Sequence, residues 1–198
     1  MQKRNYSVVS NNKITSFNKT IEIDSDKSIS IRSFLIASIS EGISELKNVL
    51  ESEDVFSTIE CLRKLGVKIK RNKKKNYTVY GKGLGSFYAK KNAMLDCGNS
   101  GTLARLLIGL LSTTPNINVK ITGDDSLRKR NMKKLINLMC SFGANFEKNK
   151  YRFPLNMVSS SMPIGINYES GVSAQLKSAV ILAGLNSYGI TNVKERRI

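Results

Sequence analysis

The 198-residue sequence predicts an α/β protein built from repeated βαβαββ units. Three segments share one plan, in which a small residue and a cation four positions later open an apolar helix, followed by a turn and a short strand. The cations are Arg32, Arg105 and Lys177. The segments are "SISIRSFLIASISEGISELKNV" from Ser28, "GTLARLLIGLLSTTPNINVKIT" from Gly101 and "SAQLKSAVILAGLNSYGITNVKE" from Ser173. Two units read as complete and a third as incomplete.

The first helix is predicted over the apolar run that follows "DSDKS", residues 24–28. Asp26 and Ser28 are both good N-cap residues, so the helix begins near them. Lys27 therefore lies at the N-terminal end, and Arg32 follows Ser28 by one turn. The apolar side chains that we expect to be buried or half-buried are Ile29, Ile31, Phe34, Leu35, Ile36 and Ile39.

The rest of the first unit is an amphipathic helix and a hairpin. The segment "ESEDVFSTIECLRKLGVKIK", residues 51–70, has an acidic start, a helical pattern and a terminal glycine, Gly66. Gly143 has the same place in the second unit. The basic run "KIKRNKKKN", residues 68–76, lies between two alternating segments and is interpreted as a solvated hairpin tip rather than a nucleic-acid clamp.

The second unit opens with "DCGNSGTLAR", residues 96–105, just before its apolar helix. Helix N-termini offer free backbone N–H groups and the positive end of the dipole, which suit anions. Gly101 lets a ligand approach the backbone because it has no Cβ. Thr102 can donate its hydroxyl to a carboxylate or phosphate oxygen. A turn with a helix cap remains the alternative interpretation.

Two further segments complete the polar set. "GDDSLRKRN", residues 123–131, is predicted to place Arg128, Lys129 and Arg130 in the first turns of a helix, where the dipole disfavours each cation by ~0.3–1 kcal/mol. A bound anion would account for that placement, although a solvated basic face remains open for Arg128 and Lys129. "SGVSAQLKSA", residues 170–179, opens the third helix with small residues and a glutamine that can donate and accept.

Composition narrows the function classes. The net charge is +17, with 32 basic and 15 acidic residues, which suggests nucleic acid or small anionic substrates as partners. The chain has no histidine, so histidine triads, histidine metal sites and a histidine proton shuttle are excluded. Its three cysteines, Cys61, Cys97 and Cys140, lack metal-type spacing, and we expect buried free thiols. No apolar run approaches ~20 residues and no secretory signal is visible, so we expect a cytoplasmic protein.

Four motifs together resemble the N-terminal half of the EPSP synthase family: "DKSISIR", "LDCGNSGTLAR", "TGDDSLRKR" and "VSAQLKSA". They occur in the family order, and the resemblance extends over essentially all 198 residues. It implies the enolpyruvyl transferase fold, with two domains of three βαβαββ units each. Residues 1–17 would pair with the second domain, and residues 18–198 would form most of the first. Because the chain stops in or just after a strand of the third unit, we expect it to be a fragment of a longer protein.

The resemblance also implies an activity. Members transfer the enolpyruvyl group of phosphoenolpyruvate to the 5-hydroxyl of shikimate 3-phosphate and release phosphate, in a cleft between the domains. It implies no cofactor and no metal, these two small molecules as partners, no nucleic-acid or membrane partner, and a monomeric full-length protein. The family's catalytic carboxylates would lie beyond residue 198, so we expect this chain alone to be inactive.

Residue roles follow from matching motif positions. The resemblance implies that Lys27 is catalytic and touches both substrates, and that Asn99 and Arg105 support the site. The phosphoenolpyruvate residues would be Lys27, Gly101, Arg130 and Gln175. The residues for shikimate 3-phosphate would be Lys27, Ser28, Arg32, Thr102, Ser173, Ala174 and Gln175, with Ala174 acting through its backbone.

Some positions depart from the family pattern, and two alternatives stay open. Ser25 replaces a usual glycine, Ile31 a histidine or asparagine, and Asn131 the proline that commonly follows the family arginine. One alternative is the sister family, UDP-N-acetylglucosamine enolpyruvyl transferase, which has Lys-Asn where this chain has Lys27 and Ser28. The other is a basic nucleic-acid-binding domain, which the charge alone suggests.

Overall fold

The computed structural model describes residues 24–73, 75–90 and 93–195 as a mixed α/β structure, which agrees with the α/β class that the sequence predicts. The prediction for residues 1–17 lies outside the described residues. The described helices are α1 (Lys27–Ile39), α2 (Glu53–Lys64), α3 (Gly101–Thr113), α4 (Asp125–Lys129), α5 (Lys133–Ser141) and α6 (Ala174–Gly184). The described strands are β1 (Ile43–Leu46), β2 (Lys68–Arg71), β3 (Tyr77–Tyr80), β4 (Ala93–Asp96), β5 (Asn118–Thr122), β6 (Asn145–Phe146), β7 (Leu155–Val158), β8 (Asn167–Ser170) and β9 (Asn192–Glu195).

The strands form three sheets. The first is antiparallel, in the order β1-β3-β2, and the pairing of Arg71 with Tyr77 confirms the predicted basic hairpin. The second has the order β4-β5-β7-β6, with β4 and β5 parallel and the remaining pairs antiparallel. The third consists of the parallel pair β8 and β9, which α6 connects. Parallel neighbours need such a crossover, so the strand–helix–strand order places α3 and α6 against their sheets.

Helix α3 is the central element of the core. Every residue of α3 except Arg105 is buried. It packs closely on α6, because a Cβ built on Gly109 would lie 2.5 Å from the backbone oxygen of Ala179. The hydroxyl of Thr113 also donates to the carbonyl of Ala183 at 3.0 Å. This close approach brings the N-termini of α3 and α6 side by side.

Helix boundaries agree with the local sequence signals. Asp26 is the N-cap of α1, as its cap propensity predicted. Gly66 and Gly143 follow α2 and α5 with φ of +86° and +93°, which confirms both as C-terminal glycines because that conformation strains side chains with a Cβ. Within α1, Ile31, Phe34 and Leu35 are fully buried.

Three expectations need correction. Ile29 and Ile36 of α1 are 66% and 48% exposed, since only one face of this helix meets the core. Cys61 and Cys97 are buried free thiols, but Cys140 is exposed because it lies on the outer face of α5.

The third correction concerns the basic cluster of the second unit. Arg128 and Lys129 occupy the last turn of the short helix α4, and Arg130 is its C-cap. The helix dipole favours cations at that end, so the predicted dipole penalty does not arise. Asp124 caps the helix and Asp125 begins it, so Arg128 and Lys129 fall at the C-terminal end of this five-residue helix.

None of the helices among the described residues has the length and hydropathy of a membrane-spanning segment.

Candidate functional site

The candidate site is built at three helix N-termini. The caps of α1, α3 and α6 are Asp26, Ser100 and Ser173, and each side-chain oxygen accepts from the backbone N–H three residues on, at 2.7, 3.2 and 3.4 Å. Other first-turn N–H groups keep no intrahelical acceptor, and the positive dipole end favours an anion there. The hydroxyl of Ser173 can still donate while its oxygen accepts.

One side-chain hydrogen bond joins α3 to α6 at these ends. The Nε2 atom of Gln175 donates to the hydroxyl oxygen of Thr102 at 3.0 Å. Thr102 is buried and Gln175 is half-buried, while Ala174, the first residue of α6, is exposed. The structure therefore brings together two residues that the sequence placed in one site from segments 73 positions apart.

Two guanidinium groups converge on Gly101. A Cβ built on Gly101 would lie 2.4 Å from Nη1 of Arg130 and 2.8 Å from Nη1 of Arg105. Arg105 also donates to the carbonyl of Gly101 at 2.9 Å. Burial, and then the charge of Arg130, lower the pKa of Arg105. Among residues 24–73, 75–90 and 93–195, neither arginine forms an ion pair, so both charges are available to an anion.

Arg130 is held by a short polar chain. Its Nη2 donates to Oδ1 of Asn99 at 3.3 Å, and Nδ2 of Asn99 donates to Oδ2 of Asp124 at 2.7 Å. Asp124 is also the N-cap of α4 and accepts from the N–H of Leu127 at 2.7 Å. The Leu127 N–H, followed by Asn99, holds the pKa of Asp124 below its ordinary value. Sequence reasoning missed Asp124, although aspartate before a helical turn is a recognisable cap.

The α1 residues form a second group. The Nζ atom of Lys27 lies 3.1 Å from Oδ2 of Asp54, in the first turn of α2. Arg32 donates from Nη1 to the carbonyl of Ser28 at 3.2 Å, one turn back along α1. The acidic start of α2 was visible in the sequence, but the partner of Asp54 was not.

The two groups are not directly bonded. Within the described part of the chain, no hydrogen bond joins Lys27, Ser28 or Arg32 to the site residues of α3 and α6. Arg32 does line a groove of about 180 Å³ between α1, α3 and α6, but apart from Ser178 its other lining residues are apolar: Leu35, Ile36, Leu106, Ile181 and Leu182. Lys177, the third cation of the repeated pattern, contacts Glu195 of β9 instead of the carbonyl of its own first turn.

Comparison with known proteins identifies the relatives of this arrangement. Residues 11–198 match the model of the family described as EPSP synthase (3-phosphoshikimate 1-carboxyvinyltransferase). The chain is 44% identical over 182 residues to a 3-phosphoshikimate 1-carboxyvinyltransferase of Bacillus cytotoxicus, covering 90% of this chain and 42% of that protein. A protein of the same name from Jannaschia sp. is 40% identical over 178 residues, covering 89% and 39%.

A solved structure gives the same result. The EPSP synthase of Acinetobacter baumannii superposes with a TM-score of 0.82 at 35% identity, covering 90% of this chain and 40% of that one. The chain therefore spans about two fifths of the length of the relatives it matches. The family match spans residues 11–198, and the superposition covers 90% of the chain. The chain belongs to the EPSP synthase family.

Proposed function

We propose that this chain supplies one wall of an active site that transfers the enolpyruvyl group of phosphoenolpyruvate to the 5-hydroxyl of shikimate 3-phosphate, releasing phosphate. Family membership supports the proposal, as do the names of the relatives. The proposal depends most on the guanidinium groups of Arg105 and Arg130, which face Gly101 and form no ion pair among the described residues. Two unneutralised cations beside a helix N-terminus suit a substrate with phosphate and carboxylate groups.

Phosphoenolpyruvate is assigned to the Gly101 end of α3. Arg130 binds its anionic groups, Gly101 allows the close approach, and Gln175 lies at the boundary with the second substrate. Arg105 and Asn99 support this loop. The short contacts around Gly101 favour the assignment, because a ligand there meets backbone N–H groups and guanidinium donors together.

Shikimate 3-phosphate is assigned to the space between the starts of α1, α3 and α6. Its ligands are Ser28, Arg32, Thr102, Ser173, Gln175 and the backbone of Ala174. The Gln175–Thr102 hydrogen bond, which joins the starts of α3 and α6, supports a shared pocket. The apolar groove beside Arg32 gives no separate support, because its other lining residues do not include the proposed phosphate ligands.

Lys27 is proposed as the catalytic residue of this wall. It lies at the N-terminus of α1, where it can contact both substrates, and its side chain is about half exposed (49%) while its ammonium group pairs with Asp54. A lysine in this position can stabilise developing negative charge or transfer a proton. The family's catalytic carboxylates would come from the remainder of the enzyme, so the 198-residue chain alone is expected to lack turnover.

The proposed architecture is that of repeated units. The order β4-α3-β5-α5-β6-β7 agrees with one βαβαββ unit, and the sheet orders β1-β3-β2 and β5-β7-β6 are alike. We infer a first domain over residues 18–198 with an incomplete third unit, in a cytoplasmic, monomeric two-domain enzyme. No cofactor, metal, nucleic acid or membrane is part of the proposal.

The test compares Arg32, which is proposed to bind shikimate 3-phosphate, with Lys129, which is not. Arg32→Ala should weaken binding of shikimate 3-phosphate to the 198-residue chain about tenfold, because a charge-assisted hydrogen bond contributes about 1.5–3 kcal/mol. Lys129→Ala removes an equal charge from exposed α4 and should change the affinity less than about twofold. Calorimetry or ligand-observed NMR on folded variants measures both. Equal affinities in Arg32→Ala and the unmodified chain would refute the assignment of the phosphate.

A further inference from the structure

The guanidinium group of Arg130 lies close to that of Arg105, although the two positive charges repel each other. Its Nη1 and that of Arg105 both lie within 3 Å of one point, the Cβ position of Gly101. Two like charges this close repel each other, which is one cause of the lowered pKa of Arg105. A fixed acceptor is therefore needed to keep Arg130 beside Gly101 before any anion arrives, and Oδ1 of Asn99 is that acceptor.

The direction of the Asn99 amide is decided by Asp124. A primary amide has one accepting oxygen and one donating NH₂ group, whereas an ionised carboxylate only accepts. Because Oδ2 of Asp124 lies 2.7 Å from Asn99, the NH₂ group must face Asp124. The oxygen then faces Arg130, which donates to it.

We propose that Asp124 is a positioning residue, which holds the Arg130 guanidinium against Gly101 by fixing the orientation of the Asn99 amide. The same carboxylate caps α4, the single-turn helix that ends at Arg130, so it anchors that arginine through the backbone and through a side chain. This inference rests on the proposed function only in naming phosphoenolpyruvate as the anion that Arg130 binds.

Asp124→Asn isolates the orienting role. Asparagine caps helices about as well as aspartate, so the bond from the Leu127 N–H is kept and the variant is expected to fold. The introduced NH₂ group would face the NH₂ group of Asn99, so the Asn99 amide turns over to offer its oxygen. The NH₂ group of Asn99 then points at Arg130. Both groups are donors, so the hydrogen bond from Arg130 to Asn99 is lost.

Whether Asp124→Asn raises or lowers the affinity for phosphoenolpyruvate distinguishes a positioning role from a purely electrostatic one. Removing a carboxylate near an anion site raises anion affinity if only the electrostatic field matters. Positioning predicts the reverse for Asp124→Asn, an affinity for phosphoenolpyruvate reduced about tenfold through loss of one charge-assisted hydrogen bond. Asp125→Asn is the matched control, because Asp125 is on the same helix and its highly exposed carboxylate lies near Arg128. It should leave the affinity within about twofold or raise it.

Exchanging the two side chains, with the carboxylate at position 99 and the amide at position 124, is expected to restore the acceptor for Arg130. Combining Asn99→Asp with Asp124→Asn places the carboxylate at position 99, where it can accept both from the introduced amide at 124 and from Arg130. The double variant should therefore return the Arg130 guanidinium to its place beside Gly101 in the ligand-free chain. Its affinity for phosphoenolpyruvate is expected to stay reduced, because the new carboxylate pairs directly with Arg130.

The experiment uses ¹⁵N-labelled 198-residue chain, with phosphoenolpyruvate titrations and the side-chain signals of Arg130 and Asn99 read by NMR. Support requires Arg130 signals that shift in Asp124→Asn, stay in place in Asp125→Asn and return in the double variant. Unchanged Arg130 signals in Asp124→Asn, tighter phosphoenolpyruvate binding by it, or signals that the exchange fails to restore would each overturn the proposal. If the unmodified chain binds no phosphoenolpyruvate, the proposed function fails at this site, and the ligand-free NMR comparison still decides the role of Asp124.

Discussion

Gly101 has no Cβ, and this leaves room for two arginine side chains in the candidate site. The guanidinium groups of Arg105 and Arg130 occupy the volume next to its Cα, where any Cβ would contact both. Both clashing atoms are ends of flexible side chains rather than backbone. A larger residue is therefore expected to displace the guanidinium groups while leaving α3 in place.

Gly101→Ala tests this directly. We expect a folded variant whose affinity for phosphoenolpyruvate falls about tenfold, because Arg130 is pushed from its ligating position and one charge-assisted hydrogen bond is lost. Gly171→Ala is the control, since a Cβ at Gly171 meets no atom within 4 Å. Calorimetric titration of both variants measures the difference. An affinity for Gly101→Ala equal to that of Gly171→Ala would contradict the placement of the substrate.

The β2–β3 hairpin is fastened to the segment before α2 by one carboxylate. Arg71 donates from Nε and Nη2 to Glu51 at 2.8 and 2.7 Å, and the Tyr77 hydroxyl donates to Oε1 of Glu51 at 2.7 Å. The hydrogen bonds from Arg71 and then Tyr77 lower the pKa of Glu51, while burial and then Glu51 raise the pKa of Tyr77 to about 12. The ring of Tyr77 also meets Phe34 of α1 edge to face, with centroids 5.2 Å apart. The hairpin is thus tied both to the chain before α2 and to α1.

Glu51→Gln should lower the melting temperature by a few degrees at neutral pH, because the ion pair with Arg71 is lost. The folded-state pKa of Glu51 is depressed, so its stabilisation is present above the ordinary value of 4.5 and is lost as pH falls through the folded value. The difference between the two proteins should therefore shrink below pH 4.5. Glu45→Gln, at an exposed position on β1, is the control. Thermal unfolding across this pH range measures the effect, and a pH-independent difference would count against the carboxylate as its source.

The whole chain has a net charge of +17, and its cations are distributed over several elements. Lys68 and Lys70 lie over the ring of Tyr80 on the first sheet, at 4.8 and 5.7 Å from its centroid. Lys133 lies over Tyr151 near the start of α5, at 5.2 Å. Separate basic positions give a general attraction to polyanions without the clustered stripe of a nucleic-acid reader.

We therefore expect the chain to bind duplex DNA weakly, without sequence preference, and with an affinity that falls steeply as salt rises. Fluorescence anisotropy with two unrelated labelled duplexes, at low and physiological salt, measures this. Shikimate 3-phosphate binding should fall less over the same salt range, since a pocket anion displaces fewer counterions than a duplex. A tight complex that distinguishes the two duplexes at physiological salt would restore the nucleic-acid alternative.

Much of the fold could be predicted because its signals are local. The start of α1, the glycines after α2 and α5 and the β2–β3 hairpin all follow from caps, periodicity and turn residues within a few positions. The prediction that Arg130 lies in the first turns of a helix was wrong, because local signals alone do not fix where a helix ends. The signals around residues 123–131 fit one long helix or a single turn followed by α5, and only packing of the surrounding chain selects between them.

The sequence alone determined the α/β class, the order of elements and the polar residues at helix starts, since backbone propensity and hydrophobic periodicity act over short distances. Tertiary structure decided which of those residues meet. The Gln175–Thr102 bond, the Asn99–Asp124 contact and the ion pair of Lys27 with Asp54 each join residues 25 or more positions apart. The first depends on how α3 packs on α6, the second on the pairing of β4 with β5, and the third on how α2 lies beside α1. That packing is set by the fit of the whole core rather than by any short segment.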